Sequence, residues 1–151
     1  MEKAAALLAK ITPEAASRDV DDAVLDAITL SACADGLTKD EITALGLMAR
    51  ELPTSKGLSD AEIDERVRAS FERINEVGLE ARLQAIGETA IDEETRRRMF
   101  SAAVIVQYAD GHLTNEENEF LLDLADVLGL NETKVREIVE YIERELGVSP
   151  H

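Results

Sequence analysis

Cysteine, aromatics, proline and positive charge are all scarce in this chain. Cys33 is its single cysteine, and it has no tryptophan, two tyrosines, three phenylalanines and three prolines. One cysteine cannot form an internal disulfide or a thiolate metal cage, so nothing here asks for an oxidising compartment, and a cytoplasmic location fits. With 16 bases against 32 acids the formal charge is −16, which repels phosphate backbones and anionic lipid heads. Nucleic acid and membrane surfaces are therefore excluded as partners; cations and basic proteins are not. The apolar patch Ala4 to Ala9 is too short to span a bilayer and lacks the basic flank and cleavage site of a secretory leader, so it reads as a short helix. No nucleophile elbow, P-loop or dinucleotide fingerprint occurs, and adjacent carboxylates carry no catalytic signal in so acidic a chain, so no enzyme activity is assigned.

What is present is Ala, Leu, Ile and Val at helical spacing. Ile42, Leu45, Met48, Ala49 and Leu52 form one stripe, and Leu121, Leu124, Ala125 and Leu128 form a second. Val135, Ile138, Val139 and Ile142 form a third; Ile63, Val67, Phe71, Ile74 and Val77 form a fourth that continues through Leu79, Leu83 and Ile86. Caps punctuate them. Thr12 with Pro13 can start a turn, and Asp19 can cap a helix to about Ala34. Thr38 with Glu41, Ser59 with Glu62 and Thr114 with Glu117 have capping-box spacing, and Asn131 can cap the last helix. The pattern predicts an all-α fold of about seven helices in a single domain over residues 1–151. Pro53 to Gly57 is the expected flexible joint.

A repeat organises these helices. Cys33-Ala34-Asp35-Gly36-Leu37-Thr38-Lys39-Asp40-Glu41 aligns with Tyr108-Ala109-Asp110-Gly111-His112-Leu113-Thr114-Asn115-Glu116-Glu117, the second copy being one residue longer. Upstream, Val24, Leu25 and Leu30 correspond to Met99, Phe100 and Ile105; downstream, Leu45, Met48, Ala49 and Leu52 correspond to Leu121, Leu124, Ala125 and Leu128. Each copy reads as helix, tight corner, helix. Gly36 and Gly111 suit the end of one helix, while Thr and Glu suit the start of the next. Asp35 and Asp110 are different, because a carboxylate at a helix C-terminus opposes the macrodipole. Two compensations are open: a hydrogen bond to free N–H groups of the next helix, or a bound cation. Asp110 to Glu117 copies part of an EF-hand loop, but Val106 and Tyr108 stand where its first two carboxylates belong, so this is not a sound EF-hand.

The two Ala-Asp-Gly, Leu-Thr, Glu corners resemble those of the tellurite-resistance TerB-like family, over about residues 20–146. The resemblance implies an all-α array of about seven helices with two pseudo-repeated helix-corner-helix units. It also implies a cytoplasmic module with no known reaction and a link to divalent metal and stress response through acidic residues. Carried over by position, the metal candidates are Asp35, Glu41, Asp110 and Glu117, with the ion's identity undetermined.

Three other features compete for a role. Cys33 reads as a small buried hydrophobe rather than an activated thiol, having no basic partner in sequence. His112 could join Asp110 and Glu117 as a ligand but reads as an exposed turn histidine. Arg96, Arg97 and Arg98 read as a solvated helix face beside Asp92, Glu93 and Glu94. The alternative function is an acidic protein-interaction scaffold with purely structural corners, whose Glu137, Glu140 and Glu143 dock a basic protein. Self-association into a homo-oligomer is left open.

Overall fold

In the computed structural model of the chain, the described residues are 2–11, 17–33, 39–90, 92–108 and 115–147, with residues 2, 39–41 and 115–117 described by backbone alone. Ser17, not Asp19, starts the helix that organises them: its hydroxyl accepts the amide of Val20 at 3.1 Å, and Asp19 falls in the first turn, where a carboxylate favours the dipole. Eight α-helices are found among the described residues, with no strand: α1 (Glu2–Ile11), α2 (Arg18–Cys33), α3 (Lys39–Arg50), α4 (Asp60–Val77), α5 (Leu79–Thr89), α6 (Glu93–Gln107), α7 (Asn115–Val127) and α8 (Glu132–Leu146).

The all-α architecture is as read from the spacing, with one more helix. The stripe through Val77 and Leu79 belongs to two helices, because Gly78 sits at φ 90°, ψ 160°, where a side chain would be strained. Apart from the one expected at Asp19, the caps hold where they can be seen. Ser59 and Glu62 form a complete capping box, Asn131 accepts the amide of Lys134 at 2.9 Å, and Asp92 accepts that of Thr95 at 2.7 Å. The amide bonds hold the Glu62 and Asp92 carboxyls below the usual carboxylate range. The expected turn at Thr12 and Pro13 lies outside the described residues.

Helices α2 and α6 form the centre, packed on each other, with α3, α4, α5 and α7 also against α2, and α1 and α8 against α6. Every residue from Ala23 to Ala32 is buried, and so is every residue from Arg98 to Gln107 except Ser101. Such helices have no solvent face along these stretches. The repeat is visible in burial: Val24, Leu25 and Leu30 are enclosed as are Met99, Phe100 and Ile105, and Leu45, Met48, Ala49 and Leu52 as are Leu121, Leu124, Ala125 and Leu128.

A central helix with no wet face must satisfy its polar side chains internally. Asp26 is fully buried. It accepts from Ser70 Oγ at 2.6 Å, from Arg73 Nη2 at 2.7 Å and from Arg82 Nε at 2.6 Å, which ties α2 to both α4 and α5. One turn earlier, Asp21 accepts the amide and hydroxyl of Thr54 at 2.9 and 2.6 Å. Buried Arg66 donates to Thr54, Ser55 and Asp22 at 2.8 to 2.9 Å. The segment expected to be a flexible joint is therefore a 3-10 turn, Pro53–Ser55, with Ser55 buried. The charge-dense sequence around it hid this, since Arg66 and Asp21, the charged partners of its side chains, lie 11 to 33 residues away.

Arg96–Arg98 also departs from a solvated face. Successive helical residues point about 100° apart, so three in a row cannot share one side. Arg97 is exposed, Arg96 donates to the Ala90 carbonyl at 2.9 Å, and Arg98 is buried.

Two stability tests follow from these contacts. Asp26→Asn leaves two guanidinium groups against a neutral amide and should cost roughly 3 kcal/mol in urea denaturation; a loss below about 1 kcal/mol would reduce the network to decoration. The second test is a pair of glycines. A Cβ on Gly87 of α5 would stand 2.8 Å from the Val127 carbonyl of α7, whereas one on Gly46 of α3 meets nothing within 4 Å. Gly46→Ala should therefore stabilise by about 0.5–1 kcal/mol, while Gly87→Ala should destabilise by about 1 kcal/mol or more despite the same gain in helix propensity.

Candidate functional site

In sequence the acidic corners follow α2 and α6, the two helices packed at the centre. Ser31 Oγ donates to the Ala103 carbonyl at 3.1 Å. Ser31 is two residues from the end of α2 at Cys33, about 3 Å of helical rise, and Ala103 is five from Tyr108, about 7 Å. The bond thus ties the last turn of α2 to α6 within its final two turns. Asp35, Asp110 and His112 themselves lie outside the described residues. Glu41 and Glu117 are each the third residue of α3 and α7, where a carboxylate meets free amides, and their side chains also lie outside the description. Among the described residues no group of three or more His, Cys, Asp or Glu side chains could hold a metal ion.

The two helix ends differ in chemistry. Tyr108 is 4% exposed and caps α6, its hydroxyl donating to Glu143 Oε2 of α8 at 3.0 Å. Burial, reinforced by the neighbouring carboxylate, pushes the phenol up to about 12. Glu143 is itself buried, so of Glu137, Glu140 and Glu143, the expected docking carboxylates, only the first two stand on open surface. Cys33, the matching residue of the first repeat, is only half-buried and opens onto a groove.

That groove, of about 610 Å³, lies where α5 and α7 pass the end of α2. Leu30, Leu83, Phe120 and Val127 provide apolar lining; Glu80, Glu119, Asp123 and Asp126 provide carboxylates, and among the described residues no Lys, Arg or His lines it. Leu79, expected in the core, lines it at 59% exposure, and Val77 just before it is 52% exposed. In sequence both belong to perfectly good helical stripes. Their exposure follows from the break at Gly78, which turns α5 away from the axis α4 would have continued. No helix among the described residues is long and apolar enough to cross a membrane.

The protonated form of Tyr108 is favoured in the folded state, so its contribution to stability is whole below pH 10 and is lost as pH rises through about 12. A titration of phenolate absorbance should show a step near that pH which Tyr108→Phe removes. The variant should also lose roughly 1–3 kcal/mol at neutral pH, because Glu143 is left buried without its donor. A wild-type titration with no step above pH 11 would exclude this pairing.

Comparison with known proteins gives one match. The family model described as tellurite resistance protein TerB matches residues 2–140. No curated protein and no solved structure matches the chain.

Proposed function

The chain belongs to the TerB family, and on that premise we propose that it is a non-enzymatic, cytoplasmic binding module. In this reading Asp35, Glu41, Asp110 and Glu117 take up a divalent cation in response to tellurite or metal stress. The observation that supports the reading is the packing of α2 on α6 with the Ser31–Ala103 bond between them, since the two corners follow these helices in sequence. Carboxylates brought close together repel one another, and a doubly charged ion would relieve that repulsion with oxygen ligands.

The ion would draw two helix ends and two helix starts together, so occupancy would stabilise the central helix pair by mass action. A chain of net charge −16 gains further from any cation it takes up. Oxygen-only ligands favour calcium, magnesium or manganese; participation of His112 would shift preference to zinc.

Calorimetric titration with calcium, magnesium, manganese and zinc tests the reading directly. Binding tighter than about millimolar is expected for at least one ion, weakened about tenfold or more in the Asp35→Asn, Asp110→Asn double variant. Absence of binding, or equal affinity in the double variant with its helical circular dichroism intact, would remove the cation from the function.

A further inference from the structure

The geometry points to the groove between α5 and α7 as a docking site for a basic amphipathic polypeptide segment, one that seats two or three apolar side chains between flanking Lys or Arg residues. Its carboxylates are other than the four corner ones, and the proposal does not depend on whether those hold a cation.

The first support is charge. Glu119, Asp123 and Asp126 recur at four and three residues along one face of α7, and Glu80 opposes them from α5. None of the four makes an ion pair with a described base, although Asp22, Asp26, Asp60, Glu65, Glu93 and Glu145 all do. Like charges at such spacing cost a few tenths of a kcal/mol per pair on a helix. A positively charged partner turns that repulsion into attraction. A second copy of this chain, itself strongly acidic, would increase it.

The second support is the apolar lining. Leu79 is 59% exposed at the groove, and Leu83 and Phe120 are only half-buried within it. A small cation would satisfy the carboxylates and leave these side chains wet; a hydrophobic ligand would cover them and leave the charges unmet. A polypeptide bearing apolar anchors at helical spacing, flanked by bases, satisfies both. The volume is in the range of sites that enclose a few side chains.

The probe is a synthetic peptide of about 14 residues, four helical turns, with Leu at positions i, i+3, i+4 and i+7 and Lys on the remaining face. It is titrated into the ¹⁵N-labelled full chain beside a scrambled peptide of identical composition and beside spermidine. The expected result is amide shifts concentrated at Leu79–Gln84 and Glu119–Val127, with affinity about tenfold above that of the scrambled peptide. Affinity should fall as NaCl rises from about 0.05 to 0.5 M. Glu119→Gln with Asp123→Asn and Asp126→Asn should weaken binding about tenfold. Leu79→Ser, at a site too exposed to threaten folding, should weaken it with little change in salt dependence. Equal affinity for the scrambled peptide, the same shifts with spermidine, shifts centred on α8, or no binding would each overturn the proposal.

Discussion

A carboxylate that cannot reach water has to be compensated by the protein around it, and Asp26 sits where that requirement shapes everything nearby. It lies in the middle of α2, a helix enclosed from Ala23 to Ala32, and its compensation comes from Ser70 and Arg73 on α4 and Arg82 on α5. Hydrophobic contact alone would let those helices slide along α2 with little change in area. Three directional bonds to one carboxylate allow a single register. The second cluster, Asp21 and Asp22 with Arg66 and Thr54, repeats the device one turn away and draws in the link between α3 and α4. Burying such charges contributes little net stability compared with a well-packed apolar core. Its effect is to define which arrangement of helices is the native one.

Helix type, helix number to within one, and the duplicated unit were legible from periodicity and caps, because these signals are local. The equivalent positions of the two repeats, such as Leu25 with Phe100 and Leu45 with Leu121, share the same enclosure. The membership first suggested by the two corners agrees with the family match, which reaches further towards the N-terminus, over residues 2–140. Long-range polar pairing was not legible. In a chain where about a third of the residues are charged, nothing in the sequence marks Asp26 as buried and Asp123 as exposed. The Arg96–Arg98 run and the segment around Pro53 were misread for the same reason: local composition reports polarity, whereas burial depends on how the helices pack.

The candidate site divides along a similar line. Its corner motifs were conspicuous in sequence, and what the fold adds is that the helices preceding them pack on each other at the centre. The groove left no comparable trace. Its apolar members belong to stripes that look like core, and its carboxylates are lost among 32. Only the break at Gly78 and the packing of α5 on α7 separate them from the rest.

The close approach of Gly87 to the Val127 backbone has a mechanical meaning. Helices α5 and α7 touch there, near their C-terminal ends, and the groove runs from Asp126 and Val127 at that contact towards Leu79 and Glu119, near their N-terminal ends. The pair behaves as a wedge whose apex is set by a missing methyl group. Its opening is then governed by the angle at the apex more than by the side chains along its walls. A bulkier residue at position 87 would act like a shim, altering the width of the mouth from a point that no occupant of the groove needs to touch.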